Sequence, residues 1–411
     1  MAIALSLIYL FLILLLAKNR PLLALLIGAN GFLINGIIGQ SEGVGHFIVS
    51  LMTPLMTFIS VIIYIYRINK NVKFKIEFDT LLVTSLLLFQ LISTIFSINQ
   101  SAAIETCIRY AVFCLSYYLI VKIYFQNIQS TETELKKLLT YVFYIGIVFG
   151  LIALIRGESS SEFIMRLSIG NVTSIPLSII VGQSVAIGLV ALFSNTLISR
   201  TRLLVTLPIL LYVLALTNTR STLLACAIVV VFVMTISVLS LRKSNILPVA
   251  VILVAAIPIV YMYLNTESSL FERSVSGFQR LIEGQYGESE GDRLKAWSFA
   301  LDAFSKNPIV GIGPGNFGQK YIAYPHNIYL EVLSETGIFA FLTLLVVTGY
   351  GLIKALSNVS TSKLYIGSLF LFSLFISQVS LTLWMHKWLF IWLSILLLFS
   401  NSTSKVTYRP N

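Results

Sequence analysis

Apolar residues run along the chain in long blocks, parted by short polar or charged breaks. Cutting at those breaks predicts helices near 2–17, 21–39, 47–66, 80–97, 106–124, 138–155 and 173–195. Others follow near 203–217, 221–241, 246–264, 327–353, 364–382 and 386–402. Runs such as "VAVILVAAIPIVYMYL" (249–264) come close to the roughly 20 residues a helix needs to cross hydrocarbon. Membrane strands would instead read as alternating segments of about ten residues, and that pattern is missing. The expected fold is an all-α integral membrane protein with about 12–13 transmembrane helices.

Orientation is read from the basic residues of the short connections. Lys18 and Arg20, then Arg67, Lys70, Lys73 and Lys75, then Lys122, Lys136 and Lys137 fall on alternate loops. Residues 200–202, 242–243, 354–363 and the tail with Lys405 and Arg409 continue the alternation. These loops are expected on the cytoplasmic side. The loops at 39–45 and 97–105 carry acid and no base, and belong opposite. The N-terminal block has its basic residues after the apolar run, the reverse of a signal peptide, so a retained first helix is expected.

Two polar segments fall on the outer side, a short one at 156–171 and a longer one at 265–325. Within the second, apolar residues at 294, 297, 301 and 304 have helical spacing. They predict an amphipathic helix over 291–308, ended by Asn307–Pro308 and lying across the outer mouth. The acidic "GESEGD" (287–292) reads as a solvated loop. The organisation is thus N-terminal helices (1–200), helices carrying the Arg220 turn (201–264), an outer loop (265–326) and C-terminal helices (327–411).

Composition agrees with the pattern. Of 411 residues, 57% are hydrophobic and 11% charged, and mean hydropathy is +0.90. A soluble domain carries about 25% charged residues. The net charge of +11 is mostly the orientation signal, with some attraction to membrane lipids, so no nucleic-acid partner is expected. Cys107, Cys114 and Cys226 lie inside apolar runs without C-x-x-C spacing, and read as free, buried thiols.

Candidate chemistry gathers on the outer side. Arg166 lies in the short loop, Arg220 in the hairpin "LALTNTRSTLLA", and Arg293 opens the amphipathic helix. An arginine at membrane level usually faces a watery cavity or a partner. Its planar fork suits phosphate oxygens, so several converging arginines could hold a diphosphate. His326 stands in "AYPHNIYLEVLSETG" (323–337), beside Asn327, which could orient it or cap the next helix. Histidine titrates near neutrality and is the usual general base. Glu331 and Glu335, one turn apart, could neutralise an arginine or His326. His386, in "WMHKW", reads as part of an interfacial aromatic belt. The glycine-rich "VGIGPGNFG" (310–318) matches neither a Walker A loop nor a dinucleotide fingerprint, and reads as a tight turn. No D-x-D pair offers a metal site, and neither metal nor cofactor is expected.

Three stretches together resemble the O-antigen ligase and polymerase family of bacterial envelope glycosyltransferases. They are "LTNTRSTLLA" (216–225), "DRLKAWSFALDAFSKNPIVGIGPGNFG" (292–318) and "AYPHNIYLEVLSETGIFAFL" (323–342), in the family's order. Asn218-Thr219 stands where a serine commonly precedes the arginine. The resemblance covers roughly 200–350 and implies a GT-C-like architecture in the bacterial inner membrane, with the active site facing the periplasm. It implies transfer of a glycan from undecaprenyl diphosphate without a metal, onto lipid A-core for a ligase or a second carrier-linked glycan for a polymerase. By the same resemblance Arg220 and Arg293 would bind the diphosphate, Arg166 more loosely, and His326 would deprotonate the acceptor. A transporter or flippase of lipid-linked sugars is the alternative from another class. Such a protein should place its charges near the midplane and show repeat symmetry.

Overall fold

The structure is a computed structural model that describes residues 2–38, 52–68, 71–156, 158–159, 167–169, 173–194, 196–239, 288–320, 324–357 and 360–402. The helix expected at 246–264 and most of the outer loop lie outside the described residues. In order, the helices are α1 (Ala2–Asn19), α2 (Pro21–Ala29), α3 (Gly31–Ile38), α4 (Thr53–Ile68) and α5 (Phe78–Ile95). Next come α6 (Gln100–Asn127), whose middle widens into a π turn at Ala111–Leu115, and α7 (Thr131–Arg156). A two-residue ladder, β1 (Glu158–Ser159) against β2 (Leu167–Ser168), adds a small exception to an all-helical chain. Then follow α8 (Ser174–Ser194), α9 (Arg200–Leu216), α10 (Arg220–Leu239), α11 (Glu288–Lys306), α12 (Phe317–Lys320) and α13 (Ile328–Thr336). Finally come α14 (Ile338–Leu356), α15 (Thr361–Val379) and α16 (Lys387–Ser402).

Several expected boundaries move, each for a local reason. The block at 21–39 breaks at Asn30, whose amide donates back to the Leu26 carbonyl at 2.8 Å. The block at 327–353 breaks at Gly337, in the left-handed half of backbone space at φ 86°. The helix expected from 106 begins at Gln100, because Asn99 caps it by accepting from the Ala102 amide at 3.2 Å. Likewise α7 begins at Thr131 rather than 138, with Glu132 and Glu134 in its first turn, where the helix dipole favours acid. The same holds for Glu288, which opens α11 and is not part of a solvated loop.

Among the described residues six helices are long and apolar enough to cross a membrane, and shorter apolar helices join them. The innermost is α8, 83% buried, packed by α7, α9, α10 and α15. Its Gln183 Oε1 accepts from the Trp392 indole of α16 at 3.2 Å, which gives the buried indole N–H a partner inside the bundle. Outer faces are apolar instead of polar: Leu81, Leu88 and Leu91 on α5, and Phe339, Leu342 and Val346 on α14, are exposed. A water-soluble chain would not leave such stripes open. This is a multi-pass α-helical membrane protein. The three cysteines are free and buried, as expected.

Contacts between loops sort the two ends. The Asn127 side chain bonds the Lys73 amide at 2.7 Å, Ser362 donates to Glu132, and Tyr365 donates to the Thr196 carbonyl at 3.1 Å. The basic connections with Lys73, Lys75, Arg200 and Lys363 therefore share one end. Lys122, read as a loop cation, is instead buried at that end. Its ammonium lies 2.6 Å from Asp79, 2.8 Å from the Thr80 hydroxyl and 3.2 Å from Glu77. Tyr118 also donates to Asp79. At the opposite end the Asn99 amide donates to the Asn316 side chain at 2.9 Å.

Helix α11 has three faces rather than the two expected. Its buried face is Ala296, Ala300 and Ala303, set against Ile312 and Phe317, with Phe299 and Leu330 packed alongside. Lys295, Ser298 and Lys306 are exposed polar groups, whereas Leu294 and Leu301 form an exposed apolar edge. The packing face is formed by small alanines, which let the helix approach closely.

Candidate functional site

The site is assembled where α11, the glycine turn and α13 meet. Gly311 stands at φ 68° and Gly337 at φ 86°, and at each a Cβ would collide with backbone of the other segment. Only glycine lets these two strands of chain cross. The crossing is closed by four backbone bonds and a hydroxyl. Ile312 donates to the Ser334 carbonyl at 3.0 Å, Gly313 to Glu335 at 2.9 Å, and Ile338 to Pro308 at 2.9 Å. The Ile98 amide donates to Ile312 at 3.3 Å, and the Ser93 hydroxyl reaches the carbonyls of Val310 and Glu335.

Among the described residues, no arginine or histidine pairs with Glu331 or Glu335; both carboxyls are held by other donors. Glu335 accepts from the backbone amides of Gly315 at 2.7 Å and Phe317 at 3.0 Å, fixing the far side of the glycine turn. Glu331 accepts from the Thr382 hydroxyl and from the Leu383 amide at 3.0 Å. Their acidity is weakened: burial pushes both carboxyls up, and the neighbouring Glu335 charge raises Glu331 further.

His326 sits on the turn into α13, in the left-handed region at φ 58°. Histidine visits that region more readily than most residues, at a cost of order 1 kcal/mol, and such outliers gather at functional sites. Three neighbours hold it. The Tyr324 ring lies 4.3 Å from the imidazole, centre to centre. The Trp297 indole N–H donates to the Pro325 carbonyl at 3.0 Å. Asn327 caps α13 by accepting from the amides of Tyr329 at 3.0 Å and Leu330 at 3.1 Å. Its own amide group donates to the carbonyl and side chain of Gln378 on α15, both at 3.3 Å. The imidazole is half-buried, and burial together with the Arg293 charge lowers its basicity below the usual range. It is therefore neutral near neutral pH and able to take a proton. Arg293 and His326 are thus brought into one neighbourhood, from 33 residues apart in sequence.

Arg220 opens α10 two residues after Asn218, another left-handed residue at φ 50°. Its side chain is exposed. Helix α10 runs antiparallel to α15: Thr222 and Phe372 both face Gly182, and further along Phe232 faces Gly367. Arg220 therefore lies toward the Gln378 end of α15, the end that also receives Asn327. Arg166 lies outside the described residues. His386 is buried, with its Nε2 2.9 Å from the Ser380 carbonyl, so it is no interfacial belt residue. Among the described residues no group of three or more His, Cys, Asp or Glu is arranged to hold a metal ion.

An exposed arginine thus opens one helix, a second lies beside a strained histidine, and a glycine crossing leads out of the helix that follows it. Residues 205–345 match the O-antigen ligase family model. The matched O-antigen ligase segment is about a third of the chain and contains Arg220, Arg293, His326, Glu331 and Glu335. No curated protein matches the chain.

Tyr324 and Gln378 were not singled out in the sequence, and Trp297 was read only for its place in the apolar spacing of α11. Trp297 carried a signal, since it stands four residues after Arg293 on one helix flank. Gln378 carried none, because only the fold places it against Asn327. Arg109 was missed as well; its guanidinium lies 4.7 Å over the Trp384 ring and pairs with Glu105.

Proposed function

We propose that this protein is an O-antigen ligase-like glycosyltransferase of the bacterial inner membrane. It takes a glycan from undecaprenyl diphosphate at the periplasmic face and places it on an acceptor hydroxyl of lipid A-core. The observation that carries the reading is a half-buried His326 in the neighbourhood of Arg293, inside the segment that matches O-antigen ligase. His326 accepts the acceptor's proton as its oxygen attacks the anomeric carbon. The bond from that carbon to the diphosphate oxygen breaks, and undecaprenyl diphosphate leaves with the electron pair. Arg293 and Arg220, with Arg166 in a lesser role, stabilise the charge that grows on the diphosphate. Direct displacement inverts the anomeric centre. The leaving group is already good, so arginines and a base suffice without a metal.

The end of the bundle bearing Lys73, Arg200 and Lys363 is cytoplasmic on this reading, by the preference of basic loops for that side. The site then faces the periplasm, where the carrier-linked glycan stands.

The test is transfer by purified protein given carrier-linked glycan with either lipid A-core or a second carrier-linked unit. EDTA is present throughout, and wild type is compared with His326→Ala, Arg220→Ala and Arg293→Ala. Transfer to lipid A-core that survives EDTA and is lost in the variants supports the proposal. Transfer only to the second carrier-linked unit would make the protein a polymerase. Wild-type levels in all three variants would remove the assigned site, and carrier movement across vesicles without transfer would replace an enzyme by a flippase.

A further inference from the structure

Away from the candidate site, two cations gather at one corner of the bundle. The Arg109 guanidinium lies 4.7 Å over the Trp384 ring. The rings of Trp384 and Phe113 are 5.6 Å apart, centre to centre. The Lys387 ammonium lies 5.9 Å from the Phe113 ring. Arg109 and Phe113 are neighbours one turn apart on α6, while Trp384 and Lys387 flank the start of α16. Each of the two stacked rings thus carries one cation, which holds both long side chains in place.

Little in the protein offsets this charge. Among the described residues Lys387 forms no ion pair. It also opens α16, where the helix dipole is already positive. Arg109 pairs with Glu105 alone, through side chains that are 41% and 61% exposed, and such exposed pairs contribute little. Glu331 reaches the same turn from the buried side, but it is held by Thr382 and the Leu383 amide. The corner also faces lipid. Arg109 stands on a helix long and apolar enough to cross a membrane, about 14 Å from its start at Gln100. Ile104 and Ile108 are exposed beside it. A guanidinium keeps its proton, and a cation among lipid chains is costly unless an anion accompanies it.

We propose that this corner binds the phosphate of an anionic phospholipid, with Arg109 gripping its oxygens and Lys387 adding a second charge. The guanidinium fork suits two phosphate oxygens, and an ammonium acts as a point charge beside it. Two cations and Glu105 leave one surplus positive charge, which a phosphodiester's single negative charge balances. The bound lipid braces the turn between α15 and α16. The exposed side of that turn gives Trp384 to Arg109, its buried side holds Glu331, and Gln378 just before it holds Asn327. The proposal does not depend on what the protein transfers.

The experiment uses the full chain in a neutral detergent, given phosphatidylglycerol or phosphatidylcholine and read by native mass spectrometry. Wild type retains one phosphatidylglycerol per chain and no phosphatidylcholine. Arg109→Gln and Lys387→Gln each weaken retention by at least about tenfold, the loss of one charge-assisted contact. Lys306→Gln, at an exposed helix end, leaves it unchanged. In nanodiscs, brominated phosphatidylglycerol quenches wild-type tryptophan emission more than brominated phosphatidylcholine does, and Trp384→Phe removes the difference. That readout stands even if a charge variant fails to fold. Equal retention of the two lipids by wild type would overturn the proposal, as would undiminished retention when Arg109→Gln and Lys387→Gln are combined. Displacement of phosphatidylglycerol by equal inorganic phosphate or undecaprenyl phosphate would also overturn it, making the occupant a free anion or the carrier.

Discussion

The Trp297 indole N–H and the Pro325 carbonyl meet at 3.0 Å, and this single bond ties the helix of Arg293 to the turn of His326. Trp297→Phe keeps an aromatic ring in place but leaves the carbonyl without its donor, a loss of about 1 kcal/mol. Transfer should fall by roughly tenfold, mainly in kcat, because base and arginine lose their fixed relation. Steady-state kinetics on folded variant protein check this; unchanged kcat would show the bond to be incidental.

His326→Ala should lower kcat by about 10² to 10⁴, the usual range for a general base. The thermal midpoint should stay close to wild type or fall slightly, since alanine must hold the same left-handed backbone that histidine tolerates better. A large loss of stability with no loss of transfer per folded molecule would assign His326 to structure alone.

The pH profile offers a separate check on Arg293. On the proposed function, transfer needs neutral imidazole, whose protonation in the folded protein is pushed below the usual range by burial and the Arg293 charge. The acid limb of the rate should therefore lie at lower pH than that of a free histidine. Arg293→Gln removes one of the two causes, so the imidazole regains basicity and the acid limb moves to higher pH. The position of the limb, measured on residual activity, is the readout; no movement would separate Arg293 from His326.

Asn327 caps α13 and grips Gln378, and the two roles can be parted. Asn327→Ala loses both and should cost about 1 kcal/mol or more in unfolding. Asn327→Asp keeps the cap acceptor and loses the amide donor to Gln378. It should recover most of the stability and little of the activity if the tie to α15 positions His326. Recovery of both by Asp would leave capping as the whole role.

At the opposite end, Lys122→Met should destabilise by about 3–5 kcal/mol, because it strands Asp79 and Glu77 in the interior. Lys122→Met with Asp79→Leu should regain part of that loss. Chemical denaturation read by tryptophan fluorescence follows both. Comparable stability of the single variant and wild type would show water reaching these carboxylates.

The class of fold was legible in the sequence because lipid forces long apolar helices, and α5, α8 and α15 fall close to where the pattern placed them. Arg220, Arg293 and His326 were legible as unusual polar residues at helix ends, and Asn327 as a cap. The break at Gly337 was not, since it lies inside an apolar block and only contact with another segment demands it. The packing of α11 through small residues left no clear mark either. In a membrane protein a leucine stripe marks lipid as readily as core, and here Ala296, Ala300 and Ala303 pack inward. The partners of Glu331 and Glu335 were hidden because backbone amides of a distant turn leave no mark on spacing.

Helix α11 offers three surfaces at once: alanines to the protein, an exposed apolar edge at Leu294 and Leu301, and exposed charge at Lys295 and Lys306. A helix so divided floats at a set depth in a bilayer surface, and its buoyancy belongs to the lipid as much as to the chain. On the proposed function, the boundary that sets the height of Arg293 would also set that of a carrier lipid's diphosphate. Both would rise and sink together as membrane thickness varies, so arginine and anion would keep a common level without any moving part.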